Sequence, residues 1–122
     1  MAAEVFRDHG CDVAVMEFGL GGREDATNAL PGVLTIITRI AFDHEHVLGR
    51  TLSEIAYAKA GIIKPGVPLI VGSREREPLQ VIRATARELR APARYIGRDF
   101  ESRAVRDPVE SAGGARRVGS VQ

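Results

Sequence analysis

The sequence predicts an α/β protein, a partial parallel sheet with flanking helices, and three observations carry that expectation. Short apolar runs rich in β-branched residues recur along the chain, at Asp12–Phe18, Val33–Thr38, Val67–Val71 and Ala93–Ile96. Helical patterns with capping signals fall between the later runs, and the connections between them are short. Strands that alternate with helices in this way form βαβ units, whose sheets are parallel and whose crossovers are right-handed. A chain of 122 residues has room for one such domain with a modest core.

The elements follow in order. Ala2 to Asp8 reads as the last turns of a helix closed by Gly10, as though a βα crossover had been cut. Asp12–Phe18 is bounded by Gly10 and Gly19 and reads as a buried strand. A glycine-rich loop, Gly19 to Asn28, leads to Val33–Thr38, a second buried strand. Thr51-Leu-Ser-Glu54 has the form of a capping box and starts a helix whose apolar face is Leu52, Ile55 and Ala56. Gly61 and Pro65 limit that helix, and Lys59 lies near its end. Val67–Val71 is a third strand, Pro78–Leu89 a helix with Leu79, Ile82, Ala86 and Leu89 on one stripe, and Ala93–Ile96 a fourth strand. Periodicity fades beyond Asp99, so residues 1–103 are expected to form the domain and 104–122 a linker-like or disordered tail.

Charge and cysteine content exclude several classes. Seventeen basic residues against sixteen acidic ones give no nucleic-acid or membrane signal. The lysines are Lys59 and Lys64 alone, both in one short segment. Cys11 has no cysteine to pair with and is expected to be a half-buried structural thiol in a reducing cytosol. The opening MAAEVFRDHG carries charges where a signal peptide needs an apolar run, and a cytoplasmic protein is expected.

Loops at the carboxyl ends of parallel strands build ligand sites, and two loops qualify. The first runs from Glu17 through Gly19, Gly21, Gly22, Arg23 and Asp25 to Asn28; its glycines let backbone approach a ligand closely. The second holds Asp43-His44-Glu45-His46. Their oxygen and nitrogen donors suit a divalent cation: carboxylates favour magnesium, while imidazole leaves manganese open. The plain alternative is that the carboxylates cap helices and His44 is a solvated loop residue.

Taken together, Glu17-Phe-Gly-Leu-Gly-Gly-Arg-Glu-Asp-Ala-Thr-Asn28, Asp43-His44 and Lys59-Ala-Gly-Ile-Ile-Lys-Pro-Gly66 closely resemble the signature stretch of folylpolyglutamate and dihydrofolate synthases, the folate branch of the Mur ligases. The likeness runs from Asp12 to about Asp99 and implies a piece of the Mur ligase central domain, whose architecture is P-loop NTPase-like. It implies that Glu17 and His44 are magnesium ligands, that Asp25 lies near the pterin-bearing substrate, and that Lys59 is the catalytic lysine that becomes carbamylated. Arg23 has two suitable roles, contact with a substrate carboxylate or phosphate, or pairing with Asp25 to hold the loop; Asn28 is carried over as a substrate-side residue. Lys64 is expected to be a solvated turn residue. The implied reaction is ATP-dependent: a carboxylate of dihydropteroate or of a folate glutamate chain is phosphorylated, and the amine of L-glutamate attacks the acyl phosphate.

The sequence departs from that family in two respects that bear on activity. No Gly-x-x-Gly-Lys-[Ser/Thr] phosphate loop occurs within the 122 residues, nor does a glutamate-binding C-terminal domain. The expectation is a truncated piece, inert as a ligase by itself. The competing expectation is a non-catalytic α/β module that keeps the signature and binds a partner through exposed apolar sheet edges.

Overall fold

The computed structural model describes residues 2–19, 21–23, 25–42 and 48–103. The described residues divide into two units, one holding residues 2–16 and the other within Glu17–Ser102. Residues 104–122, expected to form a tail, lie outside the described residues.

In the first unit, helix α1 (Ala2–Asp8) ends as its sequence requires, at Gly10 with φ +66°. His9 is exposed and turns its Nδ1 toward the Val5 carbonyl at 2.8 Å. Asp12 to Phe18 does not form the expected buried strand: no strand is present there, and Val13 and Val15 are 80% and 86% exposed. An apolar run becomes a strand only where a neighbour pairs with its backbone, and no described strand does so. Cys11 is exposed rather than half-buried, because it follows the turn at Gly10 with no described element packed over it.

The second unit holds a three-stranded parallel sheet in the order β1 (Thr35–Ile37), β2 (Leu69–Val71), β3 (Ala93–Tyr95). Helix α2 (Leu52–Ala60) links β1 to β2, and helix α3 (Arg76–Glu88) links β2 to β3. Three strands in sequential order joined by two right-handed crossovers place both helices on one face of the sheet. The core is therefore single-sided: Ile37, Leu69 and Val71 from the strands meet Ile55, Ala56 and Ala60 of α2 and Ile82 and Ala86 of α3. Burying Ile55, Leu69 and Ile82 stabilises by about 1.5–3 kcal/mol each.

The same topology corrects the expectation that Val33–Thr38 is buried on both faces. Only Thr35 and Ile37 point inward; Ile36 is 54% exposed, and Val33 and Leu34 are exposed beside it. Strand register puts Ile36, Ile70 and Arg94 in one row on the face that carries no described helix.

Helix α2 begins as its sequence dictates, whereas α3 starts at Arg76, two residues before the expected Pro78, with no side-chain cap from Glu75. Thr51 Oγ1 accepts from the Glu54 amide at 3.1 Å, and Glu54 Oε2 accepts from the amides of Thr51 and Arg50 at 3.1 and 2.8 Å. Those amide bonds hold the Glu54 carboxyl below the ordinary carboxylate range. Ser53 Oγ donates to Glu77 Oε1 at 2.7 Å, tying the first turns of α2 and α3. Among the described residues, no helix is long and apolar enough to cross a membrane.

Candidate functional site

The glycine-rich loop is held as a compact turn by Asp25. Its Oδ1 accepts from the Thr27 amide at 2.9 Å and the Thr27 hydroxyl at 2.6 Å, while Oδ2 accepts from the Gly19 amide at 3.0 Å. Asp25 is thus the N-cap of a 3-10 turn, Ala26–Ala29, a role that Asp-Ala-Thr suits because a short carboxylate can reach the amide two residues on.

This turn docks on the last turn of α2, the segment that carries Lys59. The Arg23 amide donates to the Ala58 carbonyl at 3.3 Å, and Asn28 Nδ2 donates to the Gly61 and Arg23 carbonyls at 3.1 and 3.2 Å. Lys64 Nζ donates to the Asn28 carbonyl. The two backbones meet where both are glycine. A Cβ on Gly22 would stand 2.6 Å from Ile62 Cγ2 and 3.2 Å from the Ala58 and Lys59 carbonyl oxygens; one on Gly61 would stand 2.5 Å from Arg23 Cβ and 2.7 Å from Arg23 Cα. The Arg23 guanidinium lies over the Tyr57 ring of α2, 4.7 Å from its centroid, a cation–π contact that holds the loop from its outer side.

The expected site residues therefore separate into three groups. Arg23, Asp25 and Asn28 are brought together with Lys59 by the docked loop, and each of the three makes contacts that fix the loop itself. Lys64 is drawn into the same corner rather than left in solvent, since the Asn28 carbonyl lies within reach of its ammonium group. Glu17 is exposed, and no described donor reaches its carboxylate; Lys59 is half-buried, and its amine has no described partner. His44, with Asp43, Glu45 and His46, lies outside the described residues. Among the described residues, no three His, Cys, Asp or Glu side chains gather as a metal site.

At the carboxyl ends of β1 and β2 a polar cluster stands that periodicity alone does not reveal. Ser73, fully buried, donates to Glu75 Oε2 at 2.6 Å and accepts from the Ile40 amide at 3.4 Å. Glu75 also accepts from the Arg74 amide at 3.1 Å and from Arg39 Nε at 3.3 Å. Led by the Ser73 hydroxyl, these bonds lower the Glu75 carboxyl to about 2. The signal in the sequence is a serine two residues before the glutamate that forms the N-cap of α3, which a strand-and-helix reading passes over as turn residues.

A three-stranded parallel crossover sheet with both helices packed against it, and a glycine-rich turn clamped to the lysine-bearing helix, defines an α/β class. Comparison with known proteins narrows this. No protein-family model matches the chain. The chain is 49% identical over 84 residues to a dihydrofolate synthase/folylpolyglutamate synthase of Bacillus subtilis, covering 69% of the chain and 20% of that relative. It is 39% identical over 95 residues to a folylpolyglutamate synthase of Lacticaseibacillus casei, covering 78% of the chain and 22% of the relative. A solved complex of FPGS with AMPPCP and folate superposes with a TM-score of 0.77 at 38% identity, over 80% of the chain and 24% of that structure. The chain belongs to the folylpolyglutamate synthase/dihydrofolate synthase family and spans about a fifth of the length of these curated relatives.

Proposed function

We propose that this chain contributes the lysine-bearing part of the active site of an ATP-dependent ligase, one that joins L-glutamate to dihydropteroate or to the glutamate tail of a folate through an acyl phosphate. The observation that carries the reading is the clamp between the loop that begins at Glu17 and the helix that carries Lys59, made by Gly22, Arg23 and Asn28 on Ala58 and Gly61. It fixes two otherwise separate segments of the signature in one corner. AMPPCP and folate, bound in the related FPGS complex, supply the substrate classes.

Glu17 fits a magnesium ion as an exposed carboxylate without a described partner, and His44 is its expected companion; manganese suits the same donors. A bound divalent cation neutralises charge on the phosphates. Lys59, half-buried and unpaired among the described residues, offers an amine whose carbamylation would turn a cation into an anionic metal ligand. Asp25 uses both carboxylate oxygens to shape the turn, so its influence on a pterin-bearing substrate runs through loop geometry. Arg23 and Asn28 likewise place backbone rather than offer free side chains, with Arg23 over Tyr57 and the Asn28 amide on two carbonyls.

The 122 residues carry no phosphate loop, and loop amides with a lysine are what usually neutralise the β- and γ-phosphates. Titration of the chain with magnesium and ATP is expected to show no tight binding. The direct test grafts residues 17–102 in place of the matching segment of the Lacticaseibacillus casei enzyme and follows ATP-dependent incorporation of glutamate into folate. The graft should be active, and Glu17→Gln and Lys59→Ala should each abolish turnover while leaving the thermal midpoint in place. A graft that works equally well with both residues replaced refutes these roles.

One observation favours a second reading, the partner-binding module: Val33, Leu34, Ile36 and Phe42 expose apolar surface on and beside β1. Sedimentation of the chain as an assembly with no affinity for nucleotide in the graft would support it.

A further inference from the structure

Helix α3 carries arginine at 83 and 87, one turn apart and on one stripe beside the apolar one, and Arg90 follows just past its end in a left-handed turn. The turn after β3 adds Arg98. These four side chains, with Ala86, Ala91, Ala93 and Tyr95, line a concavity of about 310 Å³. The alanines are the reason it is concave, since short side chains at 86, 91 and 93 leave the space between long arginines unfilled.

Tyr95 anchors the arrangement. Arg83 and Arg98 both lie on its ring, 5.0 and 4.8 Å from the centroid. Among the described residues, Asp99 is the carboxylate bonded to the cluster, and it is committed: Arg98 donates to it at 3.0 and 2.8 Å, and it accepts from the Tyr95 amide at 2.8 Å. Arg83, Arg87 and Arg90 have no ion-pair or hydrogen-bond partner among the described residues, and Arg83 Nε is buried without an acceptor. Like charges this close repel, and a buried guanidinium N–H without an acceptor costs free energy. Both costs vanish when an anion with several oxygens enters.

We propose that this concavity is a binding site for a small polyanion, a molecule that presents two or more carboxylate or phosphoryl groups. Guanidinium forks match the paired oxygens of either group, and the volume holds more than one oxyanion. Arg83 and Arg98, held on Tyr95, form the rigid wall, whereas Arg87 and Arg90 are exposed and close over the ligand. The site lies in the second unit and is independent of the ligase reading.

The test titrates the full chain with tripolyphosphate and, separately, citrate at physiological ionic strength, by calorimetry and by amide chemical shifts. One or both should bind, with shifts centred on Ala91, Ala93 and Tyr95, and the tighter of the two identifies phosphoryl or carboxylate groups as the source. Arg87→Gln with Arg90→Gln should weaken binding about tenfold or more, whereas Arg7→Gln with Arg50→Gln, which removes the same charge elsewhere, should change it less than about twofold. Failure of both anions to bind, shifts centred elsewhere, or equal weakening by the two double variants would overturn the site. The shift map of the unmodified chain decides the question even if the first variant folds poorly.

Discussion

Gly61→Ala is the substitution that most directly tests the clamp. Gly61 has φ −61° and ψ −13°, which any residue adopts, so alanine meets no backbone strain of its own. What it meets is the loop. The new methyl would stand 2.5 Å from Arg23 Cβ, 2.7 Å from Arg23 Cα and 3.0 Å from the Arg23 nitrogen, and two of those atoms are backbone and cannot rotate away. Either the loop lifts or α2 shifts, at a cost of about 1–3 kcal/mol for the overpacking. Lifting also lengthens the bonds from the Arg23 amide to Ala58 and from Asn28 Nδ2 to Gly61, worth about 0.5–1.5 kcal/mol each. Against this, alanine restricts the unfolded chain and returns about 0.4–1 kcal/mol. The net loss should be about 2–3 kcal/mol, a fall in thermal midpoint of roughly 10 °C or more for a unit of this size. Denaturant unfolding followed by far-UV circular dichroism reads it, with Gly32→Ala as the control, since a Cβ there comes no closer than 3.7 Å to the Leu34 carbonyl oxygen. A loss for Gly61→Ala below about 0.5 kcal/mol would show that the loop is not clamped through backbone contact.

Three further outcomes follow from single features. Thr51→Ala removes the hydroxyl that caps α2 and should cost about 1 kcal/mol in the same unfolding assay. Glu75 has a folded pKa near 2, below its ordinary value, so the folded state binds fewer protons than the unfolded one. Its contribution is present in full above about pH 4.5 and is lost as pH falls toward 2; Glu75→Gln should flatten stability over that window, and an unchanged acid limb would refute the cluster's role. Arg90 sits at φ 52° just past the end of α3, where glycine is the usual residue, so Arg90→Gly should raise stability by up to about 1 kcal/mol in equilibrium unfolding.

How far the sequence could be read depended on whether a feature was local. The capping box of α2 and the parallel pairing of the three later runs were legible, because caps and crossovers are set by neighbours in sequence. The burial of Val33–Thr38 was not, since an apolar β-branched run looks the same whether one face or two are covered. That distinction is made by strand order, which here sends both helices to one side and leaves Ile36 exposed. Asp12–Phe18 failed for a related reason: composition makes a strand possible, but only a paired neighbour makes it one.

The glycine-rich signature shows the same limit at the level of chemistry. Its spacing identified the family, yet spacing does not say which residues of a motif touch ligand and which hold the motif in place. Gly22, Arg23 and Asn28 spend their contacts on Ala58, Tyr57 and Gly61, across a gap of more than thirty residues that no local pattern spans. Glu17 and Lys59, by contrast, keep charged groups that no described residue satisfies. A side chain whose donors are spent on holding the loop has less left to offer a substrate, whereas a charge without a described partner is available for chemistry. On the proposed function the division is physical: Gly22, Arg23, Asp25 and Asn28 set the position of the loop, and Glu17 and Lys59 are the groups through which that position would act. Substitutions in the first set should therefore move folding stability and activity together, while those in the second should move activity alone.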